Sequence, residues 1–241
     1  MYIPFLADGV ISQFEGWEQL EELDWDAYRR RYGNIQRLDR ILRAEGKDPN
    51  RYKVSKQADA VMLFYLFRQD ELEGIFDRLG YPHTPETLRK TVTYYDARTS
   101  YGSTLSFLVF AGVFAEIDLA ASWQRYMVAL ESDVGDVQGG TTAEGIHMGV
   151  MSGTLDLVQR SYLGEVIRDG ALSFAPKAMD QLRDLALPMR FRGLSLDVAL
   201  ESDRLRVGAA IDSLNVNRSE IVSVGDRQQE IRCGETHSFD L

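Results

Sequence analysis

A mainly helical amino-terminal part followed by a small β-sandwich is the fold class this sequence predicts. Up to about Gly164 the apolar residues recur at helical spacing. Beyond it, short alternating runs punctuated by glycines take over. The change of period falls around 164–170, which sets two domains, 1–164 and 165–241.

Residues 59–67 are apolar nearly all round, the mark of a buried helix. Leu72, Ile75, Phe76 and Leu79 form an amphipathic turn pattern closed by Gly80 and Pro82. Thr84 caps the next helix, with Pro85 at its first position, where the missing N–H costs nothing. Runs 103–116 and 119–132 read as antiparallel helices joined by a very short turn, and 146–162 as the last helix. The strand candidates are 172–174, 185–191, 194–200, 205–207, 221–224, 230–232 and 238–241, with turns at Gly193, Gly208, Gly225-Asp226 and Gly234. Roughly seven short strands suit a sandwich.

A formal net charge of −10 argues against nucleic-acid binding, which demands clustered Lys and Arg. One cysteine, Cys233, excludes an internal disulfide, and His83, His147 and His237 are too scattered for a preformed metal site. The start, Met1-Tyr2-Ile3-Pro4-Phe5, lacks the pattern of a signal peptide, and no apolar run is long enough to span a bilayer. A cytoplasmic protein with no metal and no membrane partner is expected.

The densest chemistry lies in Gly139-Gly140-Thr141-Thr142-Ala143-Glu144-Gly145-Ile146-His147. Glycines let backbone N–H groups approach an anion, threonines add donors, and a helix start adds a positive dipole end. Phosphate or the oxygens of a sugar would suit such a loop; a tight turn with a helix-start histidine is the plainer alternative. Pairs of antiparallel helices suit a helical barrel whose loops on one face build a site. Two further loops, 9–17 and 94–100, set aromatics beside carboxylates and amides, a mixture that grips sugars. Trp17, Trp25 and Tyr32 could equally anchor helix packing.

Five segments in this order resemble glycoside hydrolase family 65, the inverting disaccharide phosphorylases of maltose, trehalose or kojibiose. They are Ile11-Ser12-Gln13-Phe14-Glu15-Gly16, Ser55-Lys56-Gln57-Ala58-Asp59, Tyr94-Tyr95-Asp96-Ala97-Arg98-Thr99, Ser103-Thr104-Leu105-Ser106 and Thr142-Ala143-Glu144-Gly145-Ile146-His147. The wording of 138–159 is closest to the trehalose-phosphorylase-like branch. The resemblance implies part of an (α/α)₆ barrel followed by a small C-terminal β-sandwich, the carboxy-terminal half of the family's architecture. It implies Lys56 and Gln57 as substrate-binding residues, and Ser103, Thr104, Gly145 and His147 as phosphate-binding. Inorganic phosphate is then a co-substrate, with no other cofactor. In an inverting phosphorylase the phosphate stands where a hydrolase holds its activated water.

The family's general acid sits in a Gly-Pro-Asp-Glu-Tyr-His-like motif that does not occur in these 241 residues. Tyr101 stands where this branch usually shows histidine, and Ala175-Pro176-Lys177-Ala178-Met179 lacks the family's Pro-x-Leu-Pro. The expectation is a portion of an α-glucoside phosphorylase or hydrolase, inactive alone, with disaccharide and phosphate as ligands and a homo-oligomer or complementary chain as partner. A non-catalytic sugar- or protein-binding remnant, or half of a split enzyme, is the alternative.

Overall fold

In the computed structural model the chain divides into two compact units, Met1–Leu155 and Asp156–Leu241. All residues are described except Met1, Ala58, Ser213 and Asn215; the first residue of the start read as lacking a signal-peptide pattern and one residue of the Ser55–Asp59 motif thus lie outside the described residues.

The first unit is helical: α1 (Trp25–Tyr32), α2 (Leu38–Ala44), α3 (Asp59–Leu66), α4 (Gln69–Leu79), α5 (Pro85–Asp96), α6 (Thr104–Phe114), α7 (Leu119–Leu130) and α8 (Met148–Asp156). Helix α6 is its axis, with Leu108, Val109, Phe110, Ala111, Val113 and Phe114 all buried. It packs along α7 and against α3 and α5. The main core joins α6 to Val61 and Phe64 of α3, Leu72 and Phe76 of α4, Val92 and Tyr95 of α5, and Trp17. A second cluster, Leu23, Tyr28, Ile35, Leu38 and Leu42, holds α1 and α2.

The helix ends obey local chemistry. The Thr84 hydroxyl accepts the Thr87 N–H at 3.3 Å, ahead of Pro85. Asp118 caps α7 by accepting the Ala121 N–H at 3.0 Å, and Gly80 closes α4 at φ 74°. The expectation of an all-round buried helix at 59–67 needs correction. Only Ala60, Val61 and Phe64 of α3 are buried, while Leu66 and Phe67, at its carboxy-terminal end, are 56% and 41% exposed.

Helix α8 runs into a π-helical turn, Leu157–Tyr162, in the second unit. That unit carries β1 (Val166–Arg168), β2 (Ala171–Phe174), β3 (Asp184–Phe191), β4 (Leu194–Glu201), β5 (Arg204–Ala209), β6 (Ser219–Val224), β7 (Arg227–Arg232) and β8 (Thr236–Asp240). They form two four-stranded sheets, ordered β1-β2-β6-β7 and β3-β4-β5-β8. Residues of both sheets share one apolar core, including Phe174, Val222 and Ile231 from the first and Leu196, Leu205, Val207 and Phe239 from the second. Every strand pairing is antiparallel except β2 with β6. The β3–β4 hairpin turns on Arg192 and Gly193, both at positive φ, which matches the twist of the strands they join. The chain is therefore α plus β.

Candidate active-site loops

Several motif segments are stitched to one another. The Ile11 N–H donates to Thr91 Oγ1 and the Tyr95 hydroxyl donates to the Ile11 carbonyl, both at 3.1 Å and both buried. The Ser55 N–H donates to the Arg98 carbonyl and the Ser100 N–H to the Ser55 carbonyl, each at 2.8 Å. The Ser106 hydroxyl, in the first turn of α6, donates to the Lys56 carbonyl at 3.0 Å. Gly102 makes this convergence possible, because a Cβ there would lie 2.4 Å from the Gln36 carbonyl oxygen and 3.1 Å from Lys56 Cγ. The Ser12-Gln13, Ser55-Lys56 and Ser100–Thr104 segments are thereby held in one neighbourhood.

Beside them opens a cavity of about 330 Å³ whose lining includes Gln13, Phe14, Trp17, Arg43, Lys56 and Ser100. That volume falls in the range of small-molecule sites. Trp17 is 2% exposed, and its indole N–H donates to the Tyr94 hydroxyl at 2.9 Å. The Arg98 guanidinium lies 3.8 Å from the centre of the Tyr94 ring while pairing with Glu22. Trp17 thus anchors packing and lines the cavity at once. Tyr32 is committed elsewhere, donating to Glu45 at 2.6 Å, and Trp25 does not line the cavity.

Tyr101, in the left-handed region at φ 54°, stacks on Phe107 at 4.6 Å and donates its hydroxyl to Asp96. Arg125 forks onto the same carboxylate at 2.8 and 2.9 Å. Burial, with Asp96 adding to it, pushes the Tyr101 phenol above its ordinary range, so it stays a donor. This side chain braces α5 against α7.

The glycine-rich loop holds the main surprise. Its backbone donors were expected to face a phosphate, yet two of them face the chain's own Asp136. The Gly140 N–H donates to Asp136 Oδ2 at 2.6 Å and the Thr142 N–H to Oδ1 at 3.3 Å. The Thr142 hydroxyl donates to the Asp133 carbonyl at 3.2 Å. His147 is gripped twice by the Asp133 side chain: its backbone N–H donates to Oδ2 at 2.8 Å, and Nδ1 lies 2.6 Å from Oδ1. The His147 hydrogen bond holds the Asp133 carboxyl below its usual range, and the Gly140 and Thr142 N–H groups do the same for Asp136. Two carboxylates therefore organise the loop. Their signal in the sequence was Asp133 and Asp136 just ahead of Gly139-Gly140, since short carboxylates bond backbone N–H groups a few residues on.

Each expected site residue can now be placed. Lys56 is exposed, Gln57 and Ser103 are half-buried, Thr104 is buried and Gly145 is exposed at φ 138°. The His147 side chain is 28% exposed. Ser103 stands at the N-cap of α6, where its carbonyl accepts the Ser106 N–H at 3.0 Å while its hydroxyl makes no capping bond. Among the described residues, the Lys56 ammonium, the Gln57 amide, the Ser103 hydroxyl and His147 Nε2 have no protein partner. Lys56, Ser103 and Thr104 are brought together at the start of α6. Gly145 and His147 sit on a separate loop tied to α6 through α8, where a Cβ on Gly153 would lie 2.2 Å from Leu108 Cδ2. At 1.5 Å rise per residue, Leu108 lies about 6 Å into α6 and Gly153 about 7.5 Å into α8, so both helix starts lie within two turns of that contact. No cluster of His, Cys, Asp and Glu among the described residues could hold a metal, and no described helix is long and apolar enough to cross a membrane.

A helical unit whose loops frame a polar–aromatic cavity, followed by a two-sheet unit, is an arrangement suited to carbohydrate chemistry. Residues 1–156 match the glycosyl hydrolase family 65 central catalytic domain, and residues 165–217 match the family's C-terminal domain. This chain belongs to glycosyl hydrolase family 65. It is 48% identical over 236 residues to an uncharacterized glycosyl hydrolase of Mycobacterium tuberculosis, covering 98% of this chain and 18% of that protein. It is 36% identical over 242 residues to the trehalose 6-phosphate phosphorylase of Lactococcus lactis, covering 100% of this chain and 31% of that enzyme. A solved structure of a human-microbiome protein provisionally designated a kojibiose phosphorylase superposes with a TM-score of 0.74 at 18% identity, over 100% of this chain and 29% of its own. The chain spans less than a third of the length of these relatives.

Proposed function

We propose that these residues form the sugar- and phosphate-binding portion of an inverting disaccharide phosphorylase, with 1–164 contributing part of an (α/α)₆ barrel and 165–241 its C-terminal domain. The observation that carries the reading is that Lys56, Gln57, Ser103 and His147 Nε2, without a protein partner among the described residues, lie on motif segments several of which are hydrogen-bonded to one another. The phosphorylase among the relatives supports phosphorolysis as the reaction class. In the reaction, a phosphate oxygen attacks C1 of the glucosyl unit from the face opposite the leaving oxygen. The C1–O bond breaks, and the leaving oxygen takes a proton from a general acid. That acid comes from a complementary segment or chain, because the family's acid motif is not among these residues. The products are β-glucose 1-phosphate and the released sugar.

The cavity also favours a phosphorylated disaccharide over a neutral one. Two cations, Arg43 and Lys56, line it against one carboxylate, Asp39, and neither cation has an ionic partner among the described residues. The Lactococcus relative, named for trehalose 6-phosphate, agrees with that charge. Calorimetry on the purified chain tests the reading. Trehalose 6-phosphate should bind at least about tenfold more tightly than trehalose, a difference of about 1.4 kcal/mol. Arg43→Gln should erase the difference, and no β-glucose 1-phosphate should form without a second polypeptide. Equal affinity for the two sugars would defeat the phosphosugar assignment, and turnover by the chain alone would defeat the partial-site assignment.

A further inference from the structure

The family reading assigns His147 to phosphate but gives Asp133 no role. We propose that Asp133 is the positioning residue that makes His147 Nε2 a hydrogen-bond acceptor, so that the loop selects hydrogen phosphate over oxyanions that carry no proton. The inference rests on the phosphate-site reading above.

A carboxylate can only accept hydrogen bonds. With Nδ1 at 2.6 Å from Asp133 Oδ1, the proton of the neutral imidazole belongs on Nδ1. Nε2 is then an acceptor, and it is the ring nitrogen with no protein partner among the described residues. The ring cannot readily trade places, because the second carboxylate oxygen takes the backbone N–H of the same residue at 2.8 Å. Asp133 is itself held. Its side chain is 8% exposed, and its carbonyl accepts the Thr142 hydroxyl. Thr142 in turn donates its N–H to Asp136, so the arrangement is braced from both sides.

An outward acceptor discriminates between anions of equal charge. Hydrogen phosphate carries one hydroxyl, which can donate to Nε2. Sulfate carries none, and would set oxygen lone pairs against the nitrogen lone pair. A bound hydrogen phosphate would thus be oriented by its hydroxyl, leaving unprotonated oxygens for the helix start at Ser103 and for attack on carbon.

The double grip makes Asp133→Asn informative. The His147 N–H must still donate, so the Asn carbonyl takes it and the amide NH₂ is left facing Nδ1. That forces the proton onto Nε2, the wrong-tautomer effect seen when a histidine's carboxylate partner becomes an amide. Long-range ¹H–¹⁵N spectra at pH 8 read the tautomer directly, and His147→Gln identifies the signal among His83, His147 and His237. The expected result is an Nδ1–H tautomer in the unmodified chain and an Nε2–H tautomer in D133N. Inorganic phosphate should bind about tenfold more tightly than sulfate to the former, a preference that D133N abolishes.

An Nε2–H tautomer in the unmodified chain, or equal affinity for the two anions there, overturns the proposal without needing the variant to fold. An unchanged preference in D133N overturns the positioning role. If neither anion moves the His147 signals, the phosphate-site reading fails and the selectivity falls with it. The tautomer measurement then still decides whether Asp133 sets the ring.

Discussion

The two units spend their polar groups differently. On the β unit, charges pair at the surface, with Arg204 on Asp240, Arg206 on Glu201 and Arg232 on Glu230. Beneath them lies a closed apolar core. The helical unit also closes a core, but leaves Lys56, Gln57, Ser103 and His147 Nε2 uncommitted at the ends of its motif segments. Polar groups held in place by neighbours yet denied a partner are what a binding site requires, and their placement on loops follows the usual division between scaffold and function. Placement, not number, separates the units: the β unit also leaves Arg190, Asp197 and Asp226 unpaired, but on exposed strand and turn positions, whereas the groups of the helical unit lie on its motif segments, where the site is proposed.

Substitutions can break this division, and the largest effect should fall in the β core. Leu205 is fully buried at 0% exposure, and Leu205→Ala should cost about 2–5 kcal/mol of stability by leaving a cavity. Denaturant unfolding should show this while phosphate binding by the folded protein is unchanged. Gly102→Ala should cost about 1–3 kcal/mol through overpacking, since its new methyl would meet the Gln36 carbonyl at 2.4 Å. Here stability and ligand binding should fall together, because the displaced backbone also positions Lys56 and Ser103. A variant with only one of the two effects would separate the framework from the site.

A smaller effect concerns pH. Glu45 accepts from Lys47 at 2.8 Å, Tyr28 at 2.5 Å and Tyr32 at 2.6 Å, which together hold its pKa down to about 2 against an ordinary 4.5. A depressed pKa contributes stability that is complete above 4.5 and is lost as pH falls towards about 2. Glu45→Gln should therefore lower stability at neutral pH and flatten the acid limb of the stability curve in that window. An unaltered acid limb would show that this cluster is not linked to folding. Smallest of all, Arg204→Gln removes an exposed ion pair and should change stability by no more than about 1 kcal/mol.

Much of the fold was legible because its signals are local. Thr84-Pro85 announces a helix start, Gly80 a helix end, and the shift from helical to alternating period the passage to strands. Strand β1, Val166–Arg168, escaped because it lies within the 164–170 stretch where the period changes, and α8 hid its π-helical end because a one-turn widening leaves no sequence mark. The site was half legible. Glycines and threonines at 139–142 did signal an anion cradle, but residue types do not say which anion fills it. Asp136, only a few residues away, has no translational entropy to lose and takes the Gly140 and Thr142 donors. The Arg43 contribution to the cavity was equally hidden, since it comes from α2, outside every motif segment.

In the proposed site, phosphate binds to the helical unit through the start of α6 and the outward nitrogen of His147. Titrating inorganic phosphate into ¹⁵N-labelled chain tests it most directly. Saturable shifts are expected, confined to amides at 103–106 and 139–148 and to the His147 ring, all lost in His147→Gln. Shifts centred on the β strands, or none at all at millimolar phosphate, would contradict it.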